Sequence, residues 1–226
     1  MNRKNLPMAP FRAATLATTL VASSTAASAH PHVWVDMQSA IVFTDQGLIK
    51  GVDVEWTFDD AYAQMALEGL DVNKDGVYSQ DELAPLTKEN IDSLKDYDYF
   101  TVMRADGKPL KIGAVTNAGQ IYSSDKLTLH FQVPLAAPLD PMKAKFMLKV
   151  YDPEFFIDFE YPKEDGVDVV GNMPKQCSLD VKPVPTDAEL EQTRTMLSSK
   201  GKDWKPDSNE DFGAMFAQPV SIDCAA

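Results

Sequence analysis

The chain has 226 residues, with 21 basic against 34 acidic side chains for a net charge of −13, and it holds two cysteines and three histidines. A surface this acidic repels nucleic acid and anionic membrane and attracts cations. With so few histidines a Ser-His-Asp triad has little to draw on, and two cysteines point to one disulfide rather than a metal cluster or redox motif.

The chain opens with Arg3, Lys4 and Arg12, runs through an acid-free Ala/Thr/Leu/Val stretch from Ala13 to Ala26, and reaches Ala27-Ser28-Ala29. A basic region, a short apolar region and an A-x-A site read as a secretory signal over residues 1–29, cleaved so that the mature chain begins at His30. Without that segment the net charge is −16. No later stretch approaches ~20 apolar residues, so a periplasmic or secreted protein is expected, with no membrane insertion after cleavage.

Val33, Val35, Met37, Ile41 and Phe43 fall on odd positions, the period of a half-buried strand, which leaves His32, Trp34, Asp36 and Gln38 on the other face. Thr44-Asp45-Gln46-Gly47 turns the chain, and Val52, Val54, Trp56 and Phe58 alternate as the returning strand. After Asp59-Asp60 the period becomes helical through Ala63, Ala66, Leu67 and Leu70, and it resumes at Leu83, Leu86 and Ile91 with Pro85 in the first turn, where proline is tolerated.

Between those helical runs lies Asp71-Val72-Asn73-Lys74-Asp75-Gly76-Val77-Tyr78-Ser79-Gln80-Asp81-Glu82. Oxygen-bearing side chains stand at positions 1, 3, 5, 9 and 12 of a twelve-residue loop with glycine at 6, the spacing with which an EF-hand wraps Ca²⁺. Asp71, Asn73, Asp75, Ser79 and Glu82 would give side-chain oxygens, Val77 its carbonyl, and Gly76 the sharp turn. Tyr78 departs from the aliphatic residue usual at position 8, and no second such loop exists to pair with it. The competing reading is an acidic helical turn that only resembles a site.

Strands are expected again at Tyr97 to Arg104, Leu110 to Val115, Gln120 to Ser123, Leu127 to Pro134, Lys145 to Val150 and Glu154 to Tyr161. His130 falls on the polar face of its strand. After Pro162 the chain turns rich in Pro, Asp and Lys, with a capping box at Thr186-Asp187-Ala188-Glu189 leading a helix from Leu190 to Leu197. Cys177-Ser-Leu-Asp-Val181 and Val220-Ser-Ile-Asp-Cys224 are near mirror images, so antiparallel pairing would set the two cysteines opposite each other. The expected fold is mainly β: an antiparallel β-sandwich over residues 30–162 with an EF-hand inserted at about 59–95, and a C-terminal extension, 163–226, tied by Cys177–Cys224 and carrying one helix.

His30-Pro31-His32 at a freed N-terminus is a second candidate centre. The α-amine and the imidazoles of His30, His32 and His130, all off the core, suit Zn²⁺, Ni²⁺ or Cu²⁺. Pro31 has no amide to deprotonate, which excludes the square-planar amino-terminal copper mode. Asp36 and Asp152 are weaker ligand candidates, and the plainer reading is a solvated end with an exposed strand histidine.

Ala29-His30-Pro31-His32-Val33-Trp34-Val35-Asp36 after a signal, the acidic helical insertion, Leu129-His130-Phe131 and Tyr151-Asp152-Pro153-Glu154-Phe155-Phe156 together resemble the bacterial exported proteins gathered as domain of unknown function 1007. The resemblance spans His30 to Cys224 and implies a periplasmic part of an ABC-type transport system for nickel, cobalt or zinc, with His30 and His32 handling the metal. One sandwich lacks the two lobes of a solute-binding protein, so the expected role is an accessory or chaperone component with a membrane transporter as partner. Ca²⁺ and one of Zn²⁺, Ni²⁺, Co²⁺ or Cu²⁺ are the implied cofactors, and no enzyme activity is expected. The alternatives are a calcium-dependent secreted scaffold or adhesion module without transition-metal chemistry and, more remotely, a histidine-brace copper enzyme.

Overall fold

The computed structural model describes residues 31–163, 166–184, 188–200, 204, 207 and 211–225. His30, the expected signal segment and the Thr186–Asp187 part of the capping box lie outside them. The described chain is mixed but mainly β, with two sheets, four helices and the Cys177–Cys224 disulfide.

The first sheet grows from the predicted hairpin, β1 (Val33–Phe43) and β2 (Ile49–Phe58), which pair antiparallel with Val35 opposite Phe58 and Gln38 opposite Glu55. The odd-numbered side chains of β1 are buried, as the alternation requires. β6 (Lys126–Leu139) lines up on β2 and β5 (Thr116–Ser123) on β6. The other edge of β1 is shared: β8 (Ile157–Glu160) covers its first half and β9 (Val167–Val170) its second.

Both edge partners run parallel to β1, which corrects the expected all-antiparallel arrangement. The only tight hairpin that β1 makes is with β2. β8 arrives after the chain has crossed from the other sheet, so no short turn fixes its direction.

That second sheet runs from β10 (Cys177–Val181) at one edge through β11 (Val220–Cys224), β7 (Phe146–Val150) and β3 (Thr101–Ala105) to the two-residue β4 (Lys108–Pro109) at the other. The C-terminal stretch is therefore more than a tethered extension, because β11 lies inside the sheet between β10 and β7.

Side chains of both sheets meet in one core. Trp56 stands at its centre, edge-on to Phe131 at 5.0 Å and tilted against Phe159 at 4.8 Å. Such aromatic pairs add about 0.5 to 1.5 kcal/mol each beyond the area they bury.

The helical insertion makes the first crossing between the sheets. α1 (Asp60–Leu67) leaves β2 and α2 (Gln80–Leu94) leads into β3. Asp59 caps α1 by accepting from the Ala61 and Tyr62 amides. Ser79 and Glu82 form a capping box on α2.

α2 docks on β5, where the Gln80 side chain donates to the Gln120 carbonyl at 2.9 Å and Thr87 donates to the Gln120 side chain at 3.3 Å. Tyr78, at the position that would bridge to a partner hand, instead meets Tyr122 of β5 edge-on at 5.1 Å.

The stretch read as the start of a strand, Tyr97 to Phe100, is a turn in which Asp98, Tyr99 and Phe100 all take left-handed backbone angles, φ 48°, 54° and 49°. Left-handed geometry costs roughly 1 to 2 kcal/mol per residue. Burial of the Tyr99 and Phe100 rings in the common core offsets it. The predicted strand from Leu110 to Val115 shrinks to one bridge between Ile112 and Leu135.

A second, smaller core joins Phe155, Leu190, Leu197 and Phe216, and so fixes α3 (Ala188–Ser198) and the short α4 (Gly213–Phe216) beside β8.

Candidate functional site

The twelve-residue loop is wound on its own amides. Asp71 accepts from the Asp75 amide at 3.1 Å and from the Gly76 amide at 3.0 Å; Asn73 accepts from Asp75 at 2.8 Å, and Asp75 from Val77 at 2.8 Å. Gly76 turns at φ 78° and Lys74 at 61°. The entering helix stops at Leu67, before the loop begins, because Gly69 takes a left-handed φ of 79°.

Glu82 closes the loop. One carboxylate oxygen accepts from the Val72 amide at 3.0 Å, the other from the Ser79 amide at 3.0 Å and the Ser79 hydroxyl at 2.7 Å. These bonds to Ser79 first, and then to the amides of Asn73 and Val72, hold its carboxyl below the usual range. The stabilisation they give is present above the unfolded value and is lost as pH falls through the lowered one.

The donors are all oxygen, the chemistry Ca²⁺ prefers. Among the described residues, however, no three His, Cys, Asp or Glu side chains converge into a group that could hold a metal ion. The loop's carboxylates face its own N–H groups, Asp71 accepting from two amides and Glu82 from three.

His32 sits just ahead of β1. Its amide donates to the Phe156 carbonyl at 2.8 Å and its ring packs on Phe156 at 4.6 Å. His130 lies elsewhere. The strand registers put it in the row Gln38–Glu55–His130–Gly119, two strands across and six residues along from His32. At about 3.3 Å per residue and 4.8 Å per strand that separation is on the order of 20 Å, far beyond what one ion bridges.

The expected meeting of His32 with His130 is thereby corrected. His130 lies on the face of β6 opposite the buried Leu129 and Phe131, but register along the strands keeps it from His32. The His130 ring instead lies over Gly119, where a Cβ would come within 2.7 Å of it.

Asp36 shares the His32 face but lies four residues along, about 13 Å on the same spacing, opposite Thr57 and Glu160. Asp152 is no ligand candidate in this geometry. It is only 4% exposed, and its carboxylate accepts from the amides of Glu154 at 2.9 Å, Phe156 at 2.9 Å and Ile157 at 3.1 Å. It builds the loop on which His32 rests.

Burial pushes the Asp152 carboxyl above the usual range, with those three amides pulling the other way. The loop is backed by Gly213 of α4, where a Cβ would fall 1.8 Å from the Asp152 carbonyl oxygen. Asp158, 6% exposed, pairs with Arg194 of α3 at 3.4 Å, and the guanidinium lies 4.7 Å over the Phe216 ring. Burial raises the Asp158 carboxyl, partly countered by Arg194.

Two features escaped the sequence reading. Asp59 caps α1 and also accepts from the Trp34 amide at 2.9 Å, a role signalled by an aspartate standing where the period changes from two to helical. Gly213 has no local signal, since its neighbour comes from a distant loop.

What the fold and these features define is a disulfide-tied, mainly β protein of two sheets, with a helix–loop–helix in the first crossing between them. A disulfide of this kind belongs to oxidising compartments outside the cytosol, and no helix among the described residues is long and apolar enough to cross a membrane. The chain belongs to the family described as Protein of unknown function (DUF1007), whose pattern matches residues 15–224. It is also 34% identical over 97 residues to an uncharacterized 15.5 kDa protein in the trpE 3' region of Spirochaeta aurantia, an alignment covering 43% of this chain and 69% of that protein.

Proposed function

We propose that this is an exported metal-binding protein, an accessory or chaperone component of a transition-metal transport system, built as a β-sandwich and braced by a structural Ca²⁺ loop of the EF-hand type. The observation that carries the calcium half is the loop itself: oxygen donors at the required spacing, on a backbone turned at Gly76 and closed by Glu82. Asp71, Asn73, Asp75, Ser79 and Glu82 would hold the ion with the Val77 carbonyl. Calcium would neutralise carboxylates otherwise held by the loop's own N–H groups, and Tyr78 on Tyr122 gives an unpaired hand the sheet as its support.

The expected result is that Ca²⁺ raises the melting temperature of the wild type and not of Glu82→Gln. At roughly 10⁻⁴ to 10⁻³ M affinity, typical of extracellular modules, about 10 mM Ca²⁺ would add about 1.4 to 2.7 kcal/mol. A wild-type melting curve indifferent to Ca²⁺ sinks the calcium half.

The transition-metal half rests on the His30-Pro31-His32 start, with His32 held in place by Phe156, and its link to transport rests on the resemblance of that start to exported transport components. The α-amine, His30 and His32 would bind Zn²⁺, Ni²⁺, Co²⁺ or Cu²⁺. His130 takes no part, given its distance.

Titration of the processed chain with each metal should therefore show affinity lost in His30→Ala and in a variant with one residue added before His30, and kept in His130→Ala. Binding should also weaken between about pH 7 and 5 as imidazoles protonate. Equal affinity in all three variants removes the N-terminal site.

A further inference from the structure

We propose that the outward face of the first sheet around Trp34 is a docking surface for a cationic protein segment, an arginine-bearing peptide whose guanidinium stacks on the indole while the surrounding carboxylates take its charge. Trp34 is 50% exposed although it stands within β1, where its neighbours Val33 and Val35 are buried. Its backbone is locked on both sides by Asp59, which accepts from the Trp34 amide at 2.9 Å and donates its own amide to the Trp34 carbonyl at 3.0 Å. An exposed aromatic on a fixed backbone binds with little ordering cost, and tryptophan is favoured among interface anchors.

The surroundings choose the partner. Asp36, next on the same face as Trp34, stands opposite Glu160, and both are exposed; Asp158, opposite Trp34 itself, is buried and already paired with Arg194. Asp59 and Asp60 begin α1 beside it.

Against the four carboxylates of Asp36, Asp59, Asp60 and Glu160 stands Lys126, which pairs with Asp60 at 2.8 Å and is also reached by the charges of Asp36 and Asp59. The indole is thus framed by net negative charge. Nucleic acid and anionic lipid are repelled by such a frame, and so is a second copy of this acidic chain. A guanidinium is attracted by the ring face and also matches carboxylates with paired N–H groups, which favours arginine over lysine. None of this depends on the metal-binding reading.

The test is calorimetric titration of the full chain with a short arginine-glycine peptide, with lysine and glutamate peptides of the same length alongside. The arginine peptide should bind best, the glutamate peptide not at all, and binding should weaken with salt. Trp34→Ala should lower affinity about tenfold, equivalent to about 1.4 kcal/mol. Asp36→Asn with Glu160→Gln, both at exposed positions, should lower it as well while leaving the indole in place. Binding that is unchanged in Trp34→Ala, equal for the glutamate peptide, or flat with salt overturns the proposal.

Discussion

Reducing Cys177–Cys224, or replacing both cysteines by serine, should lower the stability of the chain by about 4 kcal/mol. The bridge closes a segment with a sequence separation of 47 residues, and the chain-entropy relation for a loop of that size gives about 4 kcal/mol from restriction of the unfolded chain. The cost is concentrated in the second sheet. Cys177 and Cys224 are direct partners in the β10–β11 ladder, and β11 in turn pairs with β7.

Urea unfolding with and without reductant measures the effect. The expected outcome is a lower midpoint, with the first sheet and its hairpin the last to melt. A midpoint that does not move would mean that the β10–β11 ladder orders the unfolded chain as much as the bond does.

Asp152→Ala should cost about 3 to 5 kcal/mol. The substitution strands three amides, those of Glu154, Phe156 and Ile157, in a buried loop, and each unsatisfied buried donor costs about 1 to 3 kcal/mol. The damage should spread in two directions: to His32, which rests on Phe156, and to α4, whose Gly213 lies on the Asp152 carbonyl. Asp152→Asn retains one acceptor oxygen and should lose less.

The pH dependence distinguishes this carboxylate from Glu82. Burial holds the Asp152 carboxyl above its ordinary value of 3.8, so the folded state keeps a proton that the unfolded chain has released. Its contribution is full below the unfolded value and is lost as pH rises through the raised one. In Asp152→Asn that decline should vanish. Denaturation midpoints measured from acid to neutral pH would show it, and an identical slope in both proteins would rule the assignment out.

Much of the first sheet was legible because its physics is local. The odd positions of β1 alternate cleanly between Val33 and Met37, and the turn at Thr44 to Gly47 fixes β2 beside it. The mirrored cysteine segments were legible for the same reason, since antiparallel pairing of two similar strands permits one natural register.

The misreadings have a common cause in long-range contact. Tyr97 to Phe100 carries strand-like aromatics, yet their rings are drawn into a core that only a left-handed turn lets them reach. β9 is four residues long and pairs in parallel with β1, so neither turn chemistry nor length announced it.

At the candidate site, residue spacing within the loop was readable because Asp71 to Glu82 is contiguous. The meeting of His32 and His130 was not, because it depends on register across three strands. Asp152 shows the same limit. Sequence marks an aspartate among aromatics, and only the folded loop reveals that its oxygens are taken by three amides.

The interior place of β11 governs the order in which this protein can be made. During N-to-C synthesis β3 and β7 precede β11, so the edge of β7 stays unpaired until Val220–Cys224 has been made. An open strand edge of this kind templates association with other chains. Completion of the second sheet is therefore a late, non-local event, and a nascent chain stalled or clipped before β11 would carry a formed first sheet beside an adhesive, half-built second one.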